Sequence, residues 1–414
     1  MLFRRSLRLR LRRRSRATRL LVSLLFCISL ATFLFVFVFS SSDSEHYANH
    51  SPHSSYPTYS PIKTPENATR HVHTSPESSS LPPGKLPYKG GTIDAVVTFV
   101  NGSDPAWQAA RRERLKSMGR TYTEEFQWKD NNELVYCLRG LWHNVPQLRH
   151  VWLVIASPTQ IPTWLDMNNP YISVVYHDEI FPNPEHLPSF SSYAIESNLW
   201  RIPHLSDDFI YLNDDFFIVN ELPDALVRDL EGYMQIHVDH HKINRPTNQF
   251  RRGLINAGRI LTRRFGRPKG LKTWYSLAHT FYVCNKPIMK ETSEVFSHAY
   301  LELNKNPFRT VSGLPHFIFL AGHYYVQRTI ETKHSGEYKA RYHKCFEDEY
   351  VYWNWSDTSY KKNDRYIALV KKLRPVSVCI NDDQATRTPS MHSYFLDTVN
   401  GMFPEAAGWE KKSV

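Results

Sequence analysis

Cysteine is scarce in this chain, with 5 among 414 residues. No two cysteines have the Cys-x-x-Cys spacing, which excludes a zinc ribbon or finger of that type. The count is also too low for a small domain held together by disulfides. Cys27 lies in a long apolar run, so at most two disulfides can form among the other four: Cys137, Cys284, Cys345 and Cys379.

Acidic residues are absent from positions 1–19, which contain nine arginines, and residues 20–39 carry no charge at all. At about 1.5 Å per residue, this uncharged run spans a hydrocarbon core of roughly 30 Å. Arginines on its amino-terminal side keep that end in the cytoplasm. We therefore expect a cytoplasmic tail (1–19) and a transmembrane signal anchor (20–39). A cleavable signal peptide fits less well, because the apolar run is long and Ser-Ser-Ser-Asp at 40–43 is a poor cleavage site.

Excess positive charge is confined to that tail. Subtracting its nine arginines from the net charge of +11 leaves +2 for the rest of the chain. A nearly balanced domain offers no electrostatic footprint for nucleic acid, so no nucleic-acid partner is expected.

Three further segments follow the anchor. Residues 40–91 are rich in Ser and Pro with almost no aliphatic periodicity, which predicts a disordered stem. Residues 92–405 form the predicted lumenal catalytic domain, and 406–414 a short tail. Glycosylation sequons fit a glycoprotein of the secretory pathway: Asn49, Asn67 and Asn354.

Short apolar runs alternate with helical patterns in the domain. Such alternation favours the α/β class, with a largely parallel sheet, flanking helices and a Rossmann-like or GT-A-like layout. Ligands of such sheets bind at the carboxyl ends of the strands. The predicted strands are 93–100, 151–156, 172–176 and 209–212, and the predicted helices are 106–118 and 132–142.

The same acidic triplet ends two apolar runs. Asn213, Asp214 and Asp215 follow the first run, and an Asn-Asp-Asp triplet at 381–383 follows the second. Charges beside an apolar core are costly unless a cation or donors compensate them, and clustered carboxylates select Mg²⁺ or Mn²⁺. The alternative is that each triplet only forms a turn, because Asn and Asp side chains hydrogen-bond to their own backbone. We expect the two triplets to meet at one metal site.

A basic segment at 235–272 also stands out, with seven arginines and two lysines between 245 and 272. A solvated charged face is one interpretation. A mobile flap that contacts phosphate is the other, since the planar fork of arginine suits phosphate.

Several distinctive segments run in order through the predicted domain. They include IDAVVTFVNGSDPAW (93–107), KDNNELVYCLRGL (129–141), the long block LPSFSSYAIESNLWRIPHLSDDFIYLNDDFFI (187–218), LAHTFYVCNK (277–286), NPFR (306–309) and CINDD (379–383). Together these segments resemble the Stealth family of sugar-1-phosphate transferases. The amino-terminal anchor is similar to that of the eukaryotic members, which are type II Golgi membrane proteins. The resemblance therefore implies a Golgi location with the domain in the lumen.

The resemblance also implies an activity. A sugar-1-phosphate would pass from a UDP-sugar to a hydroxyl of a glycan or glycoprotein acceptor, forming a phosphodiester and releasing UMP. Mg²⁺ or Mn²⁺ would serve as cofactor. The donor sugar and the oligomeric state stay open, and a homo-oligomer is compatible with the sequence.

Site residues are carried over from matching positions. The resemblance implies catalytic roles for Asp214, Asp215, His279 and Arg309. It implies metal binding by Asp215, Asn381, Asp382 and Asp383. Substrate-binding roles fall to Asp94, Asn101, Asp104, Asn132, Glu133, Arg139 and Glu196.

The chain departs from the family at two positions: Lys129 replaces a frequent arginine, and Phe281 replaces a frequent proline. Two other interpretations remain. A metal-dependent glycosyltransferase would release UDP, and a non-catalytic glycan-binding protein would release no nucleotide.

Overall fold

A computed structural model describes residues 93–121, 128, 130–242, 246–267, 273–310, 312–333, 335–381 and 388–411, without the side chains of 240–242. All of them belong to a compact unit, Thr74–Val414. The predicted tail, anchor and stem lie outside the described residues. Within the described ranges, no helix has the length and apolarity needed to cross a bilayer.

The main sheet has five strands in the order β3-β2-β1-β4-β8. Parallel pairing joins β1 to both β2 and β4, and β2 to β3, while β8 runs antiparallel to β4. The chain therefore switches sides after β3, and the carboxyl ends of β1 and β4 flank the switch point, where open α/β sheets bind ligands. The strands are β1 Ile93–Thr98, β2 Leu148–Ile155, β3 Ile172–Tyr176, β4 Asp208–Asn213 and β8 Tyr282–Asn285.

Two three-stranded sheets adjoin this one, in the orders β10-β11-β5 and β7-β6-β9. In the first, β11 runs antiparallel to β5 and parallel to β10. Only Asp214 and Asp215 separate β4 from β5, so the acidic turn marks the passage from the main sheet to this second sheet. The additional strands are β5 Phe216–Ile218, β6 Met234–Lys242, β7 Tyr275–Leu277, β9 Ala340–Lys344, β10 Tyr350–Asn354 and β11 Ser377–Asn381.

Helices begin at polar caps that the sequence supplies. Asp104 accepts a hydrogen bond from the Ala106 amide, and Asn248 accepts one from Arg251, both at 2.9 Å. Such caps satisfy amides that the first helical turn leaves unpaired. The helices are α1 Pro105–Ser117, α2 Glu133–Asn144, α3 His177–Ile180, α4 Ser192–Glu196, α5 Gln249–Phe265, α6 Lys286–Val295, α7 Ser297–Lys305, α8 Phe317–Glu331, α9 Tyr360–Leu373 and α10 Pro389–Met402.

The described architecture confirms the α/β class and the largely parallel main sheet. The predicted strand 172–176 has the bounds of β3, and the predicted helices coincide with α1 and α2 to within two residues at each end. Most of the basic segment consists of β6 and α5. Leu254, Ala257 and Leu261 bury one face of α5, which leaves its arginines on the opposite, more exposed face. This exposure fits the solvated-face interpretation, and contact of the segment with phosphate stays a prediction.

The four cysteines available for disulfides are all free and buried. They belong to the packed interior, where a thiol behaves as a small apolar group.

His323 on α8 is fully buried between β7 and β9. Its Nε2 lies 3.1 Å from the Tyr275 carbonyl oxygen, which can only accept, so Nε2 carries the proton. Nδ1 then accepts from the Tyr342 hydroxyl at 2.7 Å. Burial lowers the pKa of His323 to about 3. The folded protein therefore holds this imidazole neutral.

We expect His323 to weaken the fold in acid. The unfolded chain binds its proton near the ordinary pKa of 6.5, whereas the folded chain does not, so stability is lost as the pH falls below that value. From about pH 7 to about pH 5 the loss amounts to about 2 kcal/mol in the free energy of unfolding. Urea titrations should give a shallower pH dependence for His323→Gln than for wild type. His298→Gln, at an exposed position, is the matched control, and equal slopes for His323→Gln and wild type would contradict this account.

Candidate active site

Asn213 anchors the acidic turn to the end of β1. Its Oδ1 accepts hydrogen bonds from Thr98 Oγ1 at 3.3 Å and from the Tyr211 hydroxyl at 2.7 Å. The Cys137 thiol, from α2, lies 3.7 Å from the Asn213 carbonyl oxygen. These contacts hold Asp214 and Asp215 at the switch point of the main sheet.

Glu133, the first residue of α2, and Asp130, three residues before it, add two further carboxylates. Burial raises the pKa of Asp214 well above its ordinary value, and the nearby charges of Asp215, Glu133 and Asp130 raise it further. Burial raises the pKa of Asp215 to about 6 and that of Glu133 to about 7. Within the described ranges, no Lys or Arg forms an ion pair with any of these four groups. Among the described residues, like charges are therefore gathered here without a compensating cation.

This arrangement fits a divalent metal ion. Carboxylate oxygens crowded in a half-buried turn are hard ligands, and a cation among them would remove their mutual repulsion. β11 arrives beside them, because the Ile380 amide donates to the Asp215 carbonyl oxygen at 3.2 Å. Asn381 follows directly, while Asp382 and Asp383 lie outside the described residues. Asp214, Asp215 and Asn381 are thus placed to hold a metal ion.

Asp215 also lies close to His279 and Cys379. One carboxylate oxygen of Asp215, one ring nitrogen of His279 and the Cys379 sulfur lie within 4.8 Å of one another. The Cys379 thiol donates to Asp215 Oδ2 at 3.6 Å. The His279 ring contacts Phe216 and Tyr352, with centroids 4.9 and 5.5 Å away. Burial, with the charge of Arg309, lowers the pKa of His279 to about 4, so the imidazole is a neutral proton acceptor.

Arg309 approaches this cluster from the loop after α7. Its Nη2 donates to Ser192 Oγ at 2.8 Å, and the guanidinium lies 4.7 Å from the centre of the Tyr193 ring. Its buried Nε has no hydrogen-bond partner in the part of the chain that the structure describes. A buried donor without a partner is costly, so an arginine held in this way is suited to an anionic ligand.

Glu196 connects Arg309 to the acidic turn. Its Oε1 lies 3.5 Å from the Tyr211 hydroxyl, which also bonds Asn213. Burial raises the pKa of Glu196 to about 7, and the charge of Arg309 opposes that rise. The fold therefore brings together the predicted residues Asp214, Asp215, Glu196, His279 and Arg309 through a continuous set of contacts and charges.

Asn101 and Asp104 lie just beyond the carboxyl end of β1, where their side chains support local structure. Asn101 Oδ1 accepts from the Ser103 amide at 2.9 Å. Besides capping α1, Asp104 accepts from Thr159 and Gln160 at 2.6 and 2.7 Å. The position is close to the switch point, and a role in nucleotide binding stays a prediction.

Asp94 and Arg139 are not brought to this site. Asp94 lies at the opposite end of β1, four residues before Thr98 or about 13 Å away, and Arg149 binds its carboxylate through two nitrogens. Arg139 forms a two-fold ion pair with Glu410 at 2.8 Å. Both side chains tie elements of the fold together, which corrects the expectation that they line the substrate pocket. Asn132, the residue before α2, is exposed. Its backbone is in the left-handed region with φ of 66°, a conformation that Asn tolerates.

Comparison with known proteins places these residues in a family. Residues 91–119 match Stealth protein CR1, conserved region 1, and residues 127–233 match Stealth protein CR2, conserved region 2. The chain belongs to the Stealth family. The matched regions of this Stealth protein contain the acidic turn and Glu196, whereas His279, Arg309 and Asn381 lie beyond them.

Named relatives are polysaccharide phosphotransferases of bacteria. An exopolysaccharide phosphotransferase of Streptomyces coelicolor is 34% identical over 250 residues, which cover 57% of this chain and 40% of the relative. A capsular polysaccharide phosphotransferase of Haemophilus influenzae is 26% identical over 331 residues, which cover 75% of this chain and 84% of the relative. This Stealth protein therefore spans less than half of one relative and most of the other.

Among solved structures, an active-site mutant of LgtC aligns with a TM-score of 0.35 and 10% identity, over 75% of this chain and 96% of that one. A score this low does not establish a shared fold.

Sequence reasoning missed several contributors to the site. His316 is buried, with its ring 4.1 Å from that of Tyr193 and 4.5 Å from that of Phe250, and its Nε2 has no hydrogen-bond partner among the described residues. Asp130 could have been predicted from the sequence, because it precedes Glu133 in the same acidic and amide-rich segment. His316 and Tyr193 could not, since nothing in their local sequence indicates that they converge.

Proposed function

We propose that this Stealth protein transfers a sugar-1-phosphate from a UDP-sugar to a hydroxyl of a glycan acceptor, forming a phosphodiester and releasing UMP. The observation that carries the proposal is the grouping of Asp214, Asp215, His279 and Arg309 at the switch point. Phosphoryl transfer requires positioning and charge neutralisation more than covalent chemistry, and this group supplies acids for a metal, a neutral base and a phosphate ligand. The printed names of the bacterial relatives agree with this class of reaction.

The proposed reaction balances as a displacement at phosphorus. The acceptor oxygen forms a bond to the phosphorus that bears the sugar, the pyrophosphate P–O bond breaks, and UMP leaves with the bonding electrons. His279 takes the hydroxyl proton on a ring nitrogen. Arg309 binds the oxygens of the transferring phosphate. A divalent cation held by Asp214, Asp215 and Asn381 would neutralise charge on the pyrophosphate.

The location proposed for this activity is the Golgi membrane. The support is the uncharged run 20–39 after the arginine-rich tail, with the charge balance of the rest of the chain. In that arrangement the site faces the lumen, where glycan acceptors are assembled.

The nucleotide product tests the proposal. The full chain, purified in detergent, is incubated with a panel of nucleotide sugars, a glycan acceptor and Mg²⁺ or Mn²⁺. Phosphorus-31 NMR and chromatography should find UMP together with a new phosphodiester. UDP without a phosphodiester would instead identify a glycosyltransferase, and an absence of turnover with every donor would favour a binding protein.

Arg309→Lys should impair the reaction while sparing the fold. Lysine keeps the charge but not the planar fork that can bind Ser192 and phosphate together. We expect kcat/KM for the nucleotide sugar to fall at least about 10-fold, the equivalent of about 1.4 kcal/mol. Steady-state kinetics measure the change, and Arg112→Lys on the exposed face of α1 is the control. Equal kcat/KM in a folded Arg309→Lys protein would show that Arg309 does not bind the phosphate.

A further inference from the structure

A second group of metal-ligand side chains lies where β9 gives way to β10. Ligand atoms of His343, Cys345 and Glu349 lie within 4.8 Å of one another. His343 Nε2 is 2.9 Å from both oxygens of Glu349. Cys345 is a free thiol with 5% of its surface exposed. A nitrogen, a sulfur and a carboxylate thus converge on one point.

Backbone contacts hold this group in place. The Cys345 amide donates to the Val238 carbonyl oxygen on β6 at 3.2 Å, and Glu349 Oε2 accepts from the Phe346 amide at 2.9 Å. The cluster therefore joins β6, β9 and the start of β10. Ligands fixed by several strands lose little conformational entropy when they bind an ion.

The contact between His343 and Glu349 accounts for only part of this arrangement. It does not explain why the Cys345 sulfur lies within 4.8 Å of the same imidazole and carboxylate. A cation at the same point would attract all three groups. The short segment His-x-Cys-x-x-x-Glu contains ligands that a Cys-x-x-Cys search does not detect.

We propose that His343, Cys345 and Glu349 bind a zinc ion, with the fourth position taken by Asp239 or water. Zinc accepts imidazole nitrogen, thiolate and carboxylate in tetrahedral sites, with bonds of about 2.0 to 2.3 Å. Such bonds separate the ligand atoms by about 3.3 to 3.8 Å. The three ligand atoms already lie within 4.8 Å of one another, so small side-chain rotations complete the site. Mg²⁺ and Ca²⁺ avoid thiolate, which selects a softer ion.

The zinc site is separate from the catalytic cluster. Tyr352, three residues after Glu349, pairs with Cys379 of the catalytic cluster, so the two groups lie about 10 Å apart along β10. A zinc ion here would fix the connection between β9 and β10, which belong to different sheets. Its role is structural, because no part of the proposed reaction touches it.

Cobalt substitution tests the site. The full chain is freed of metal, titrated with Co²⁺ and followed by absorption, with zinc content of the untreated protein measured by mass spectrometry. We expect one zinc per chain and, with cobalt, an intense tetrahedral spectrum with a thiolate charge-transfer band. Cys345→Ser should abolish that band and weaken zinc binding at least about 10-fold, since removing even a residue that only supports a ligand costs about 10- to 100-fold.

Matched controls separate the two cysteine-containing clusters. Cys284→Ser, at a buried thiol on β8, and Cys379→Ser, at the catalytic cluster, should both retain the band. X-ray absorption of the wild-type zinc protein should show one sulfur at about 2.3 Å, a result that needs no variant to fold. Absence of the thiolate band in wild type, its persistence in Cys345→Ser, or its loss in Cys379→Ser would each overturn the proposal.

Discussion

Asp214→Asn is expected to lower turnover at least about 100-fold while the protein stays folded. The substitution removes one carboxylate from the turn between β4 and β5, where the charges of Asp215, Glu133 and Asp130 surround it. Asparagine retains the size and an oxygen but not the charge that a divalent ion requires. UMP release from a UDP-sugar measures the effect.

The same substitution should not weaken the fold. Removing a carboxylate from a group of like charges relieves repulsion, so the melting temperature of the metal-free protein should be equal to or higher than that of wild type. Asp207→Asn is the matched control, since Asp207 is an exposed acid just before the other end of β4. An unchanged rate in folded Asp214→Asn protein would remove the acidic turn from the mechanism.

His279→Gln is expected to reduce kcat by about 100-fold or more, because general-base catalysis contributes about 10² to 10⁴. Glutamine retains hydrogen-bonding groups of similar size but accepts no proton. The His279 ring packs edge-on against Phe216 and Tyr352. Burial lowers its pKa, so the imidazole is uncharged. If His279 acts on the acceptor hydroxyl, kcat should fall while KM for the nucleotide sugar changes little.

Two comparisons make this result specific. His298→Gln, at an exposed position on α7, should retain full activity. The folded state of His279→Gln is checked by the same melting curves used for the acidic turn. A large rise in KM for the donor with unaltered kcat would assign His279 to donor binding instead of proton transfer.

The contrast between Asp94 and Asp214 shows how far local sequence can be interpreted. Both are acids next to apolar strand residues, and both matched a family motif. Only strand direction separates them, because Asp94 lies at the start of β1 and Asp214 lies beyond the end of β4. The pairing of Asp94 with Arg149 joins residues 55 positions apart and leaves no trace in either local segment.

The second half of the domain was less predictable for a related reason. Apolar periodicity predicts no strand at β6, β7, β9 or β10, which are short or bear charged and aromatic side chains. Strands of this kind are stabilised by their neighbours more than by their own periodicity. The convergence of His343, Cys345 and Glu349 depends on two of them.

Local pattern by itself determined the α/β class and the first strands and helices, and it predicted the acidic turn as the chemical centre, since apolar periodicity and polar strand ends are properties of neighbouring residues. Tertiary structure decided which distant groups meet there. It brought Cys379 to Asp215 across 164 residues and placed Arg309 over Tyr193, and it left Arg139 in an ion pair with Glu410. Such contacts form only when strands pair and helices pack, because the free energy that selects them comes from burial and strand pairing across the whole domain.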